Sequence, residues 1–326
     1  MTAKLFVLLT AVCGLVMTAI SARADDALRW VGEAAYGIDP MATSGRVSAT
    51  CVTPPPNSVM APRGCRIYPV HASKSEMLQE GSVRFDKLYD SGLALQVDAM
   101  LHHDESLSDV HIISRPLTDY GGALHLGYRG ADYRFGAILS AGNDGNEWFV
   151  SPGIEGQYFF DNVTLFGQTL LSQRLRSHNL QSVSLALGVR AFLSDNFTLE
   201  SSAGGAFSRR SWSGGITWPI SAPGRDEVGM LQLAGKAEYR FDSLPLGLFF
   251  KYRYSTGALH SNDYYLMSAI DSGSLFTLGI RFYVGSGSLI DHDRNGPSLE
   301  DGNPWYGTNP FLRRVYESFR GVPIPT

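Results

Sequence analysis

Residues 246–254 read Leu-Gly-Leu-Phe-Phe-Lys-Tyr-Arg-Tyr, and apolar and polar side chains alternate along this stretch. Successive side chains of a strand point to opposite faces, so Phe250 falls on one side and Lys251 and Arg253 on the other. Residues 229–242 repeat the pattern, with leucine, tyrosine and phenylalanine on one face and lysine, glutamate and arginine on the other. Both segments are therefore predicted to be strands with one apolar and one charged face.

Ten such strands are predicted between residues 93 and 285. They cover about 93–101, 120–130, 132–142, 148–160, 162–173, 182–194, 196–208, 229–242, 245–256 and 274–285. Tight turns such as Ser194-Asp195-Asn196 alternate with longer polar connections such as 209–227 and 257–273. A transmembrane β-barrel has this asymmetry, and its strands are roughly 10 residues long. A soluble sandwich also has alternating strands, but its charged face would point outward and its connections would lack this rhythm.

The predicted fold is therefore an all-β, antiparallel up-and-down transmembrane barrel of about 10 strands, within a range of about 8 to 12. Its polar faces point into a narrow lumen, where charges are expected to pair because an isolated buried charge is costly. The predicted charged lining has eight bases and four acids, which would favour anions if solutes pass. The predicted lumen-lining residues are Asp98, His125, Arg129, Arg134, Glu155, Gln168, Arg190, Glu200, Lys236, Glu238, Arg240, Lys251, Arg253 and Arg281.

The first 24 residues predict a cleaved secretory signal peptide. Lys4 supplies a positive charge, residues 5–20 are mostly apolar, and Ala22-Arg23-Ala24 provides an A-x-A cleavage site. A retained membrane anchor is the alternative, although the apolar run is short for a membrane span. Cleavage removes two of the 27 basic residues and none of the 31 acidic ones, leaving a net charge of about −6. This balance gives no reason to expect a nucleic-acid partner.

The predicted export also affects whether the cysteines form a disulfide. Cys13 lies in the signal peptide, and Cys51 and Cys65 flank a Pro-rich stretch. Because the periplasm is oxidising, a disulfide between Cys51 and Cys65 is the preferred interpretation. Two unpaired thiols are the alternative, while no CxxC spacing or nearby His pair supports a zinc site.

The last predicted strand contains Thr277-Leu278-Gly279-Ile280-Arg281-Phe282-Tyr283-Val284, a polar-x-Gly-x-x-apolar-x-apolar pattern. It resembles the β-signal by which barrel-assembly machinery recognises a terminal strand. With Leu95-Gln96-Val97-Asp98 and His125-Leu126-Gly127-Tyr128-Arg129, it makes residues 91–285 similar to small, porin-like outer-membrane β-barrel proteins of Gram-negative bacteria. The resemblance implies a location in the outer membrane, surrounding lipid, and the assembly machinery as a partner during biogenesis.

The chain extends beyond this resemblance at both ends. The predicted organisation is a signal peptide (1–24), an N-terminal periplasmic extension or plug (25–90), the barrel (91–285) and a periplasmic tail (286–326). The extension could plug the lumen, pack beneath it, or add a strand pair near 82–90. Within the tail, residues 309–320 predict a short amphipathic helix that docks on protein or lies on the inner leaflet.

The tail also carries Asp291-His292-Asp293-Arg294-Asn295-Gly296, which matches the front half of an EF-hand calcium loop. The twelfth position is Gly302 where that loop requires a bidentate Glu. A solvated acidic turn is the alternative interpretation. No metal site is assigned from the sequence.

Titratable groups also gather in the first and last predicted long loops. These groups are His102, His103, Asp104, Glu105, Asp109 and His111, with His260 and Asp263 in the last loop. They are of the kind that a His/Asp acid–base site needs, but no Ser elbow, HExxH or phosphate loop accompanies them. No catalytic residue or cofactor is therefore assigned.

The sequence favours a non-enzymatic outer-membrane barrel that is structural or narrow and porin-like, with a largely ion-paired lumen. One rival is a barrel hydrolase with a His/Asp site in the extracellular loops. A second rival is an adhesion or partner-binding barrel that displays Trp212 and Trp218 on the long loop 209–227. The solute and the extracellular partner are left open.

Overall fold

The structure is a computed structural model that describes residues 28–39, 43–51, 69–72, 76–106, 117–143, 148–175, 180–212, 224–262, 265–285 and 287–297. The strands in these ranges are β1 (Leu28–Asp39), β2 (Thr43–Cys51), β3 (Pro69–Ala72), β4 (Glu76–Leu88), β5 (Leu93–Ser106), β6 (Leu117–Arg129), β7 (Tyr133–Asn143), β8 (Trp148–Phe159), β9 (Val163–Arg174), β10 (Leu180–Ser194), β11 (Phe197–Trp212), β12 (Gly224–Arg240), β13 (Leu246–Asn262) and β14 (Tyr265–Val284). One helix, α1 (Leu289–Asn295), follows them. Within this part of the chain, no helix is long and apolar enough to cross a membrane.

Twelve of the strands form a closed antiparallel barrel. β1 pairs with β4, every later strand pairs with the next, and β14 pairs back with β1. The closing pairing runs from Trp30 opposite Val284 to Ile38 opposite Phe276. Closure removes the exposed strand edges that an open sheet would present. The predicted class, an all-β up-and-down barrel, is confirmed.

The predicted number of about ten strands is wrong. All ten predicted strands are present, and the two additional ones are β1 and β4, which lie within the segment predicted as an N-terminal extension. Their alternation is weak because Ala34 and Gly81 occupy outward positions where other strands carry large apolar residues. The barrel wall therefore begins at Leu28, well before residue 91.

Strands β2 and β3 continue the first hairpin past the end of β1 and β4. Asp39 pairs with Glu76 and Thr43 pairs with Ala72, so both parts of the hairpin share one register. β2 also pairs with the first residues of β14, while β1 pairs with its last residues. The 20-residue strand β14 is therefore held by two successive segments of the N-terminal hairpin.

One rim of the barrel carries only tight connections, and we call it the short-turn mouth. The connections there are 89–92, 130–132, 160–162, 195–196 and 241–245, and β1 begins and β14 ends at the same rim. The opposite rim differs from the prediction, because the register of β13 and β14 continues unbroken to Asn262 opposite Leu266. Most of the predicted loop 257–273 is consequently paired strand.

The barrel wall separates apolar from polar side chains. On β13, Leu248 and Phe250 are 44% and 45% exposed on the outside, and the intervening Phe249 is 2% exposed. Large exposed apolar side chains stand on every barrel strand, and most buried charged side chains alternate with them. The exterior is thus an apolar surface and the interior is a polar one.

Helix α1 replaces the predicted acidic or calcium-type turn. Ser288 is its N-cap, and the Ser288 hydroxyl accepts a hydrogen bond from the Asp291 amide at 3.3 Å. Leu289 is buried against Val31, Phe192 and Tyr283. These contacts bring the chain after β14 back into the short-turn mouth.

Several predictions concern residues outside the described ranges. They are the signal peptide (1–24), the helix over 309–320, Cys65 of the disulfide, and Trp218 of the long loop. Cys51 ends β2. These features stay predictions.

Candidate functional site: the barrel interior and the short-turn mouth

His125 lies at the centre of a buried cluster in one half of the barrel interior. Its side chain is fully buried, with Nδ1 2.8 Å from Glu155 Oε2 and Nε2 3.2 Å from Asp98 Oδ2. Gln96 donates to Asp98 at 3.0 Å, and Gln168 donates to Glu155 at 3.1 Å. We call this the His125 cluster; it ties β5, β6, β8 and β9 together through one ring.

A second cluster lies around Arg281 on the other side of the interior. The Arg281 guanidinium donates to Glu238 at 2.7 Å and to Glu33 at 3.0 Å. Lys236 lies 3.2 Å from Glu238, and Arg84 lies 3.5 Å from Glu33. This Arg281 cluster joins β1, β4, β12 and β14, so it spans the seam where the barrel closes.

Further buried ion pairs occur within the described residues. They are Arg134 with Asp86 at 2.7 Å, Arg190 with Glu200 at 2.7 Å, and Arg253 with Glu80 at 3.7 Å. Each joins two strands of the wall. Together with the two clusters, they involve eleven of the fourteen residues that the sequence predicts to line the lumen.

The other three predicted lumen residues are Arg129, Arg240 and Lys251. The Arg129 guanidinium lies 4.2 Å from the centre of the Phe159 ring, and that of Arg240 lies 5.5 Å from the centre of the Tyr283 ring. Such cation–π contacts suit bases whose stems cross an apolar surface. Lys251 is partly buried.

The sequence interpretation missed several charged residues of the interior, including four on β1 and β4. Glu33 is on β1, and Glu80, Arg84 and Asp86 are on β4, both within the predicted N-terminal extension. The alternation Val83-Arg84-Phe85-Asp86 was the available signal. Three of these four are acids, Asp119 on β6 is a further buried acid, and Arg29 on β1 is a further base, so the excess of bases expected from the ten-strand prediction becomes smaller.

Helix α1 crosses the short-turn mouth and touches strands on all sides. Asp291 accepts from Arg29 on β1 at 2.5 Å, and Asp293 accepts from Thr164 on β9 at 2.6 Å and from Arg190 on β10. The carbonyls of Arg294 and Gly296 accept from Arg129 on β6 at 2.7 Å and Arg134 on β7 at 3.1 Å. Two carboxylates and two carbonyls of one short segment therefore meet four strand-borne arginines.

His292 is the titratable group on the inner side of α1. It is 4% exposed and packs against the Tyr283 ring, with 5.0 Å between ring centres. Burial, together with the nearby charges of Arg29 and Arg240, lowers the pKa of His292 to about 4, against the opposing charge of Asp291. The imidazole is therefore neutral near pH 7.

In the structure, the acidic side chains of the calcium-type motif contact arginines of the barrel wall. Asp291 and Asp293 face arginines, and Asn295 donates to Asp291 at 2.9 Å. Across the described ranges, no three His, Cys, Asp or Glu side chains come together as metal ligands. The predicted acidic turn is wrong because the Ser288 cap starts a helix there.

The candidate hydrolase residues are separated by the strand geometry. His102 points inward and lies 3.9 Å from Glu80, whereas His103, on the opposite face of β5, contacts Thr118 at 2.9 Å. Asp109, His111 and Asp263 lie outside the described residues. His102 and His103 are therefore not brought together.

Neither a protein-family model nor a curated protein sequence matches this chain. The solved structures similar to this closed barrel include outer-membrane porins and channels and also an outer-membrane protease from Escherichia coli. One is the COG4313 outer membrane channel from Pseudomonas putida F1, with 12% identity, a TM-score of 0.49, and coverage of 78% of this chain and 95% of that chain.

Two further solved structures have the same general form. The NanC porin has 8% identity, a TM-score of 0.39, and coverage of 75% of this chain and 100% of that chain. A FadL homologue from Pseudomonas aeruginosa has 10% identity, a TM-score of 0.37, and coverage of 78% of this chain and 90% of that chain. Identities this low carry no information about the solute or partner of this chain.

Proposed function

We propose that this chain is an outer-membrane β-barrel that acts as a structural or narrow porin-like element, with an interior largely filled by ion pairs. The proposal rests on the combination of an apolar barrel exterior and an interior in which buried side chains of opposite charge lie close together. A barrel of this kind is stable in lipid, because its backbone groups are paired within the closed wall.

The exterior supports the membrane location. Ile154 and Leu278 are 68% and 65% exposed on the outside of the barrel. A protein surrounded by water rarely exposes a continuous apolar surface of this extent. Near the short-turn mouth the aromatic rings of Tyr128, Tyr133 and Phe135 pack together on the outside, as expected where the wall meets the lipid headgroups.

The interior supports a narrow or closed pore. Twelve strands enclose more space than ten, but the His125 cluster, the Arg281 cluster and α1 occupy parts of that space. The acids Glu33, Glu80 and Asp86 offset much of the predicted excess of bases. Any current should therefore be small and only weakly anion-selective.

Conductance of the purified full-length protein in a planar lipid bilayer tests the proposal. We expect small or absent single-channel current near neutral pH, with weak anion preference where current is seen. A large, stable, cation-selective current would contradict both the ion-paired interior and the charge assignment.

Membrane fractionation tests the location separately. The mature protein should be recovered in the outer membrane and should change its gel mobility on heating, as closed barrels do. Recovery in the soluble periplasmic fraction would contradict the proposed membrane location.

A further inference from the structure

Helix α1 is held in the short-turn mouth mainly by charge. Its apolar anchor is Leu289, with Ile290 packed beside it. Its polar anchors are the contacts of Asp291 with Arg29 and of Asp293 with Arg190 and Thr164. A helix of seven residues has little stability of its own, so its position depends on these contacts.

The docked position of α1 depends on the charge of the buried His292 imidazole. Its ring nitrogens make no close hydrogen bond within the described residues, while the Gly285 backbone and Asp291 favour a proton on the ring. Arg29 of β1, Arg240 of β12 and Tyr283 of β14 surround it, together with Asp291 of its own helix. It also lines a small cavity whose charged groups are Arg84, Arg190, Glu238, Arg281 and Asp293. The surroundings hold more bases than acids, so they disfavour a proton on His292.

We infer that α1 is a releasable plug of the short-turn mouth, latched by Asp291 and Asp293 and released by acid through His292. The latch and the release are properties of the fold, while their use to open a pore rests on the proposed porin-like function. A proton on His292 would bring a third positive charge close to those of Arg29 and Arg240, with Asp291 as the acid beside it. The docked helix can take up this proton only at an electrostatic cost, whereas the undocked helix takes it up in water.

The direction of the pH effect follows from linkage. The undocked His292 has an ordinary pKa of roughly 6.5, and the docked one is lowered to about 4. Docking of α1 is therefore most stable at a pH above the undocked pKa of His292, and it weakens as the pH falls towards the docked pKa. Between about pH 7.5 and about pH 5, the docking equilibrium should fall by roughly 30-fold.

Hydrogen–deuterium exchange of the full-length, lipid-embedded protein measures this release directly. The amides to follow are those of Leu289, Ile290 and His292, which donate to Asn196 Oδ1, the Asp195 carbonyl and the Ser288 carbonyl. After correction for the intrinsic pH dependence of exchange, their protection should fall by about 30-fold on going to about pH 5. Unchanged protection, or no protection near pH 7.5, would overturn the inference.

Two variants test the latch, and a third is their control. Asp291→Asn with Asp293→Asn should reduce protection by at least about 10-fold near pH 7.5. Gly287→Ala should act in the same direction, because a Cβ there would collide with the Asp291 carboxylate and Gly287 has a φ of 124°. Asp90→Asn is the matched control, since it removes an acid from an exposed turn at the same rim.

His292→Phe tests the acid response without disturbing the carboxylates. It keeps a ring against Tyr283 and should leave α1 protected at both pH values, and retained acid release in this variant would overturn the role of His292. The wild-type pH comparison and this variant decide the inference even if the double Asp variant fails to fold. Bilayer current recorded in parallel tests the proposed function. Release of α1 without current would contradict the proposed pore but not the inferred acid release of α1.

Discussion

At the scale of single residues, His125 shows how a charged interior becomes stable. Its ring lies between Asp98 and Glu155, and each carboxylate is also held by a glutamine. When the ring is protonated, it offsets the charge of two buried acids that neither could carry alone. The same reasoning applies to Arg281 between Glu33 and Glu238.

We therefore predict that His125→Ala lowers the free energy of unfolding by about 3–5 kcal/mol, because two buried carboxylates lose the imidazole that they share. His103→Ala on the neighbouring strand is the control and should cost no more than about 1 kcal/mol. Denaturant unfolding in lipid vesicles measures both. Equal costs for the two variants would show that the His125 cluster does not stabilise the barrel.

The sequence predicts which face a side chain occupies, but not its partner. The alternation around Lys236 and Glu238 was enough to place both on the charged face. Arg281, the partner of Glu238, is brought to it by strand register, which hairpin turns fix only for neighbouring strands. Its second partner, Glu33, is 248 residues away in the chain and meets it only because β1 closes on β14.

At the scale of whole elements, strand alternation separates two neighbouring positions of β12. Leu233 is 47% exposed on the outside, and Gln232 is on the inward face. We predict that Leu233→Arg costs roughly 2–4 kcal/mol of folding free energy in lipid and that Gln232→Arg costs less. Equal folding free energies in vesicles would show that the assignment of faces is wrong.

The sequence interpretation missed β1, β4 and α1 for physical reasons. β1 and β4 carry small residues at outward positions, so the apolar half of their alternation is faint. α1 consists largely of poor helix formers, Asp, His and Asn, and it is stabilised by the arginines that receive it. Only Ser288, as a helix cap three residues before Asp291, indicated it in the sequence.

At the scale of the whole molecule, connection lengths determine the orientation. The rim opposite the short-turn mouth should face outward from the cell. An epitope inserted after Trp212 should bind antibody on intact cells, and the same epitope in the turn at Asp195 should bind only after the outer membrane is permeabilised. Labelling of the Asp195 insertion on intact cells would reverse the topology.

Charge balance across the interior predicts selectivity. Glu238→Gln leaves Lys236 and Arg281 without a shared carboxylate and replaces the carboxylate that accepts from the Tyr283 hydroxyl with a neutral amide. We expect a less stable barrel, by about 3–5 kcal/mol, whose current is more anion-selective than that of the wild type. Reversal potentials across a salt gradient provide the measurement, with Glu227→Gln near the opposite rim as the control. A shift towards cations in the Glu238 variant would contradict the pairing.

The position of β1 opposite β14 also dictates an order of assembly. Trp30 and Val284 lie at opposite ends of the described chain, so the wall cannot close until its final strand has been made, and contacts this distant in sequence form slowly. α1 follows that strand, and its docking site needs β1, β6, β7, β9, β10 and β14 to be already in place. The helix must therefore dock last, so a docked α1 marks a molecule whose barrel is complete.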